Sequence, residues 1–146
     1  MPFWAVVLAA SLLALVGALW WARRRFVMVD VDGSSMSPAY LDGDTVLVRR
    51  TGRVRAGQVV AFIPRFEGGA VPSPGGGRLW LLKRVAAGPG DAVPPGLGPA
   101  LLDLAGEPVP ADGFVALGDN RVDSYDSRHE GLVALGRVRG VVVRKL

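Results

Sequence analysis

The sequence predicts a mostly β fold, a small β-barrel or sandwich-like domain that follows one N-terminal transmembrane helix. Two observations predict it. The run from Pro2 to Ala22 contains no charged residue, and the rest of the chain is a series of short apolar stretches separated by turns rich in glycine and proline. The chain has 146 residues. About 120 remain after a membrane segment, which is enough for one small core.

Residues 2–22 are predicted to form a transmembrane anchor. As a helix this run is about 31 Å long, close to the thickness of about 30 Å of a hydrocarbon core. Trp4 lies near one end and Trp20 and Trp21 near the other, where interfacial aromatic residues are enriched. A cleaved signal peptide is the alternative, but it usually has a basic segment before a shorter apolar core. No basic side chain precedes this run, which favours an uncleaved anchor.

Residues 23–146 are predicted to form a single all-β domain. Alternating or β-branched residues predict strands at 26–31, 45–49, 57–63, 79–86, 114–117 and 137–145. No stretch after the anchor shows a helical period with caps. Residues 68–77 predict a hairpin loop rather than a domain linker.

The composition argues against several kinds of site. There is no cysteine, so disulfides, thiolate metal sites and thiol nucleophiles are excluded. His129 is the only histidine, which argues against a histidine-based zinc site and leaves one candidate for a Ser-His-Asp triad. The net charge is +4, but apart from Arg23–Arg25 the arginines are scattered. This pattern favours a basic surface facing anionic lipid headgroups rather than nucleic acid. We expect neither a metal nor a cofactor.

The stretch GSSMSP at residues 33–38 is the candidate functional segment. Ser35 follows an alternating apolar run and lies between a glycine and a proline, a context in which a turn can present the serine hydroxyl. A hydroxyl is a poor nucleophile at neutral pH unless a base lies beside it. On this stretch alone, a polar turn without chemistry remains the alternative.

Lys83 is the candidate base. Only Lys83 and Lys145 are lysines in a chain with 17 basic residues, and Lys83 directly follows the apolar stretch Leu79-Trp80-Leu81-Leu82. Lysine can lose its proton when it is desolvated, whereas arginine cannot. To act as a base near pH 7, its pKa must fall about 3 units from about 10.4, a change that burial can supply. The alternative is a lysine that lies along the apolar surface with its amine in water.

Four segments together resemble the type I signal peptidases. In chain order they are VDGSSMSP at 31–38, GDTVLV at 43–48, KRVAAGPGD at 83–91 and GDNRVDSYDSR at 118–128. They follow an apolar anchor in the order that the family has, and the resemblance covers most of residues 20–146. One Ser-Met-X-Pro match is weak evidence, whereas four segments in order are strong evidence.

The resemblance implies a role for each matching residue. Ser35 would be the nucleophile, and its backbone N–H would donate to the oxyanion. Lys83 would be the general base, and Ser124 would hydrogen-bond its amine. Asp126 and Arg128 would form an ion pair that braces the Ser124 turn.

The chain also departs from the family pattern. Gly33 stands where some members have a hydroxyl that donates a second hydrogen bond to the oxyanion. Ala39-Tyr40 replaces the usual Thr-Leu, and the short segment before residue 118 implies that the large extra subdomain of some relatives is absent. Asp119 and Asn120 are interpreted as turn formers, and His129 as a surface residue.

The resemblance also implies a substrate and a location. The substrates would be secretory preproteins with small residues before the cleavage site, and Met36 is a candidate wall residue of the pocket that accepts them. The catalytic domain would lie on the extracytoplasmic side of the cell membrane as a single-pass protein. Arg23–Arg25 conflict with this topology, because positive residues usually mark the cytoplasmic side. A true N-terminus further upstream would be another way to resolve the conflict.

Three alternatives remain open. A self-cleaving repressor-type Ser-Lys protein would share the catalytic logic but would need a DNA-binding domain. A processing peptidase of a conjugation or pilus system would have the same dyad and a narrow substrate range. A membrane-anchored β domain that binds partners without catalysis would keep its function after Ser35→Ala.

Overall fold

The computed structural model describes residues 2–65 and 80–146. Helix α1 spans Phe3–Arg25, and the short helix α2 spans Ser127–Glu130. The strands are β1 (Phe26–Asp30), β2 (Thr45–Arg49), β3 (Val59–Phe62), β4 (Leu81–Ala87), β5 (Gly113–Leu117), β6 (Val133–Ala134) and β7 (Val138–Lys145). The mostly β fold with an N-terminal apolar helix is thereby confirmed. The hairpin loop predicted at residues 68–77 lies outside the described residues.

Helix α1 stands apart from the β domain. It has no buried residue and ends in Arg23, Arg24 and Arg25. Within the described ranges it is the one helix long and apolar enough, by length and composition, to cross a membrane. Strand β1 begins at the next residue, Phe26, so that no linker separates the helix from the sheet.

The strands form one antiparallel sheet in the order β1-β2-β7-β3-β4-β5-β6. Register shifts in β2, β3 and β4 interrupt the ladders, and such irregularities bend a sheet and increase its twist. In the part of the chain that the structure describes, β6 does not return to β1, so the sheet stays open rather than closing into a barrel. Strand β6 pairs only through Gly113↔Ala134 and Phe114↔Val133.

The core lies on both faces of the sheet. One cluster is centred on Phe62 and Phe114, whose rings meet edge to face at 5.9 Å. A second cluster contains Val46, Val48, Leu82 and Met36. Because side chains alternate along a strand, Leu82 contributes to the second cluster while its neighbour Lys83 faces the other way. Strand β4 has β3 and β5 on its two sides, which places Lys83 well inside the sheet.

Candidate active site

Lys83 is a buried lysine in the middle of the sheet. It lies in β4, opposite Val60 of β3, and is only 3% exposed. Its Nζ lies 2.6 Å from the Oγ of Ser35. Burial lowers the pKa of Lys83, and the carboxylates of Asp126, Asp123 and Glu130 partly oppose that change. The structure therefore brings together the two residues that the sequence analysis singled out.

The loop that carries Ser35 connects β1 to β2. Val31 donates its N–H to the carbonyl of Asp44 at 2.7 Å and accepts from the N–H of Gly43 at 2.9 Å. Gly33 has φ +87°, a conformation that a residue with a side chain rarely adopts. Its N–H donates to Asp42 Oδ1 at 2.8 Å. The glycine thus turns the chain so that the Ser35 side chain faces β4.

A second turn, residues 118–120, fixes the Ser35 loop. The backbone N–H of Asn120 donates to the carbonyl of Ser35 at 3.0 Å, and its side-chain amide donates to the carbonyl of Ser34 at 3.2 Å. A Cβ on Gly118 would lie 2.7 Å from the Ser35 carbonyl oxygen and 2.1 Å from Ser124 Oγ. Only glycine at position 118 therefore permits this close approach of the turn to Ser35 and Ser124. Asn120 does not only shape its own turn, since its hydrogen bonds also hold the Ser35 loop.

Asp126 is the centre of the hydrogen-bond network beside the site. Its buried carboxylate accepts from the N–H of Gly118 at 2.8 Å, from Ser124 Oγ at 2.7 Å and from the N–H of Arg128 at 3.1 Å. The Arg128 guanidinium pairs with both carboxylate oxygens, at 2.9 and 2.6 Å. Burial opposes ionisation, but these hydrogen bonds outweigh it and hold the pKa of Asp126 far below its usual value. In turn, Asp126 raises the pKa of Arg128.

Ser124 has a different partner from the one that the resemblance implies. Its hydroxyl donates to Asp126 Oδ2. Among the hydrogen bonds of the described residues, that of the Lys83 amine goes to Ser35 and not to Ser124. Ser124 therefore links the Asp126 network to the 118–120 turn, since its Oγ lies only 2.1 Å from the position that a Cβ of Gly118 would take.

Two contacts near the dyad escaped the sequence analysis. Arg84 donates from Nε and Nη2 to the two carboxylate oxygens of Asp119, at 2.8 and 2.6 Å. Ser34 Oγ donates to the carboxylate of Asp123. The opposite charges of Arg84 and Asp119 were visible in the sequence, but no local pattern joins residues so far apart.

Neither Met36 nor His129 takes part in the Ser35–Lys83 contact. Met36 is 1% exposed and packs beneath the loop in the cluster with Val46 and Val48. The side chain of His129 is half exposed. It stacks on Tyr125 with ring centroids 5.0 Å apart and closes the capping box of α2. It therefore serves the turn in which it lies.

A cavity of about 320 Å³ opens onto Ser35 and Lys83. Gly33 and Ser34 form part of its wall, and Leu81 and Tyr125 supply apolar surface. Its charged lining residues besides Lys83 are Asp32, Arg65, Asp123 and Glu130. Met36 does not belong to this lining. An extended peptide that entered this cavity would meet the serine hydroxyl and the lysine amine together.

A serine hydroxyl bonded to a buried lysine amine beside an open cavity is an arrangement suited to hydrolysis by a serine nucleophile and a lysine base. Comparison with known protein families identifies one such family. The model of the family described as "Signal peptidase, peptidase S26" matches residues 3–95 and 99–145. The chain belongs to this family. It is therefore a serine peptidase of the signal peptidase type, whose substrates are secretory preproteins. No curated protein matches the chain significantly.

Proposed function

We propose that this chain is a membrane-anchored endopeptidase that removes N-terminal signal peptides, with Ser35 as nucleophile and Lys83 as general base. The observation that carries the proposal is the 2.6 Å contact between Ser35 Oγ and the Nζ of a lysine that is 3% exposed. In this division, residues 2–22 are the anchor and residues 23–146 are the catalytic domain.

Acylation begins when neutral Lys83 accepts the proton of Ser35 as Oγ attacks the scissile carbonyl carbon. The carbonyl oxygen becomes an oxyanion, to which the backbone N–H of Ser35 donates. Collapse of this intermediate breaks the C–N bond, and the Lys83 ammonium gives its proton to the leaving amine. The signal peptide then remains as an ester on Ser35, and the mature chain leaves.

Deacylation uses the same base. Lys83, neutral again, accepts a proton from a water molecule that attacks the ester carbonyl. The second intermediate collapses with return of the proton to Ser35 Oγ and release of the signal peptide as a carboxylic acid. A base with a lowered pKa suits both steps, because it is unprotonated more often at neutral pH.

Supporting residues hold this geometry rather than taking part in bond changes. The Asp126–Arg128 ion pair and Ser124 fix the turn that contains Gly118. Asn120 connects that turn to the carbonyls of Ser34 and Ser35. Gly33 shapes the loop and offers no hydroxyl to the oxyanion, so the backbone N–H of Ser35 is the proposed donor.

The proposed location follows from α1 and from the substrates. An anchor that leads directly into β1 holds the site beside the bilayer, where the cleavage site of a preprotein emerges, and raises its effective concentration. We place the catalytic domain on the extracytoplasmic side, since signal peptides are cleaved after translocation. Small residues before the cleavage site suit a cavity of this size.

Cleavage of a preprotein by purified full-length protein in lipid tests the proposal. Ser35→Ala and Lys83→Met are expected to abolish cleavage while the circular dichroism spectrum is kept. Lys83→Arg is the sharper variant, because it keeps the positive charge and removes only the ability to lose a proton. Lys145→Arg is the matched control, since Lys145 is half exposed and pairs with Asp44. Full activity of folded Lys83→Arg would contradict the proposal.

A further inference from the structure

An arginine-rich collar surrounds the point at which α1 enters the sheet. It comprises Arg23, Arg24 and Arg25 at the end of the helix and Arg49 and Arg50 at the end of β2. All these residues are exposed. None of them belongs to an ion pair among the residues that the structure describes.

Sheet register brings the distant halves of the collar together. Phe26 lies opposite Arg49 in the β1–β2 ladder, and the N–H of Arg50 donates to the carbonyl of Arg25 at 2.8 Å. Paired residues in an antiparallel ladder have Cα atoms about 5 Å apart. Arg49 and Arg50 therefore lie at the level of the last helical residues.

Tryptophans set the level of the collar relative to a bilayer. Trp20 and Trp21 are exposed, and Arg24 and Arg25 lie over their rings at 3.9 and 5.3 Å. Tryptophan is enriched at the membrane–water interface. Arg24 follows Trp20 by one helical turn, about 6 Å along the axis. The headgroup layer on each side of a bilayer is also about 6 Å thick.

We propose that this collar binds the headgroups of anionic phospholipids and so docks the catalytic domain against the bilayer. The proposal rests on the membrane span assigned to α1 under the proposed function, but not on the chemistry at Ser35. Arginine is suited to phosphate because its planar guanidinium donates two parallel hydrogen bonds. The opposite end of β1 does not have this concentration of positive charge. There Asp30 is paired with Thr45 rather than with an arginine, and its carboxylate accepts a hydrogen bond from the Thr45 hydroxyl.

Binding of anionic headgroups is also a role for Arg23–Arg25 that does not depend on which side of the membrane the catalytic domain lies. These residues conflict with an extracytoplasmic domain if they act only as orientation signals. As ligands of anionic headgroups they would serve on either leaflet. The contribution of each arginine near an anionic surface corresponds to about a fivefold change in the ratio of docked to undocked domain.

A single engineered cysteine tests the collar without relying on activity. The chain has no cysteine, and Gly52 is exposed with open space where a Cβ would lie. Gly52→Cys, labelled with a fluorophore, would be placed in lipid nanodiscs of phosphatidylcholine alone or with added phosphatidylglycerol. Quenching by acrylamide, which is neutral, reports access from water. Incorporation into the discs separately tests the span of α1.

We expect weaker quenching at position 52 in discs that contain phosphatidylglycerol, and loss of this difference in high salt, which screens exposed charges. Arg49→Gln/Arg50→Gln should lower the docked-to-undocked ratio about 30-fold and so weaken the lipid effect. Arg121→Gln/Arg144→Gln, at two exposed arginines outside the collar, is the charge-matched control and should leave the lipid effect unchanged. A label at Gly136→Cys should show no lipid effect.

Three results would overturn the proposal. Equal quenching at position 52 in both lipids would mean that anionic headgroups do not dock the domain. An unchanged lipid effect in Arg49→Gln/Arg50→Gln would mean that the collar is not the contact. Protection by inorganic phosphate added to phosphatidylcholine discs would identify a free anion, rather than a lipid headgroup, as the ligand.

Discussion

Arg84 and Asp119 join the strand of the candidate base to the turn that holds the candidate nucleophile. Arg84 follows Lys83 in β4, and its guanidinium meets both carboxylate oxygens of Asp119, at 2.8 and 2.6 Å. The next residue, Asn120, donates to the carbonyl of Ser35. Lys83 and Ser35 are therefore connected a second time, through the chain neighbours Arg84 and Asn120 and the ion pair that Arg84 forms with Asp119.

The first prediction concerns this ion pair. Asp119→Asn and Arg84→Lys are expected to lower kcat strongly, because misplacement of catalytic groups by about 1 Å can cost about 100-fold in rate. Their effect on the free energy of unfolding is expected to be small. The pair is partly exposed, so its loss should cost at most about 1 kcal/mol of stability. Preprotein cleavage and urea denaturation measure the two effects. If Asp119→Asn and wild type had the same kcat, the Arg84–Asp119 ion pair would not position the catalytic groups.

The second prediction concerns Asp126. Asp126→Asn leaves the guanidinium of Arg128 without its charged partner, and we expect a loss of about 3 kcal/mol in the free energy of unfolding at pH 7. Because folding lowers the pKa of Asp126, its stabilisation is complete above the unfolded pKa of about 3.9 and is lost as the pH falls through the folded value. The difference in stability between the variant and wild type should therefore begin to shrink only below about pH 4, and it should close only when the pH reaches the much lower folded pKa of Asp126. Asp103→Asn, at an exposed aspartate, should change stability little. A variant as stable as wild type at pH 7 would contradict the role given to the network.

The third prediction concerns Asp123, an exposed carboxylate in the cavity wall. Its negative charge raises the pKa of Lys83, in opposition to burial. Asp123→Asn keeps an acceptor for Ser34 but removes the charge, so the pKa of Lys83 should fall further. The acid limb of the profile of kcat/KM against pH should then move to lower pH. Asp112→Asn, at an exposed residue outside the cavity lining, should leave the limb in place. A shift to higher pH would mean that the Lys83 ammonium is not the group that titrates.

The fourth prediction concerns Arg137, whose hydrogen bonds hold one wall of the cavity that opens onto Ser35 and Lys83. Its Nε donates to the carbonyl of Ile63 at 2.8 Å, and its Nη1 meets Glu130 at 3.3 Å. Pro64 and Arg65, which follow Ile63, line the cavity together with Glu130. Arg137→Met should raise KM more than it lowers kcat, because β4 keeps its pairing. Arg139→Met is the control, since among the described residues the Arg139 guanidinium donates to two backbone carbonyls, both at the long distance of 3.4 Å. An unchanged KM in Arg137→Met would show that the wall does not depend on this arginine.

Alternation was sufficient to predict most strands. The stretches 26–31, 45–49, 114–117 and 137–145 overlap β1, β2, β5 and β7 to within a residue or so, because apolar and β-branched residues recur along these stretches and the turns between them contain glycine or proline. Strand β6 and helix α2 were missed, since two and four residues are too few to show a period. The sheet was expected to resemble a barrel or a sandwich, but pairing between distant strands is not encoded in any local pattern.

The site was predictable where chemistry constrains residue type. A lone lysine after an apolar stretch indicated burial, and Lys83 is 3% exposed. Contacts that depend on packing were not predictable. The partner of Ser124, the pairing of Arg84 with Asp119 and the buried position of Met36 all depend on how separate loops meet. The roles of Ser35 and Lys83 stay predictions until their chemistry is measured.

Titration of Lys83 by NMR tests the central claim most directly. Because Lys83 and Lys145 are the only lysines, ¹³C-labelled lysine gives two Cε signals, and Lys145→Arg assigns them. We expect Lys83 to titrate well below the usual lysine pKa of about 10.4, at the same pH at which kcat/KM rises. If Lys83 instead titrates at the usual lysine value of about 10.4, it is an ammonium at neutral pH and cannot be the base for Ser35.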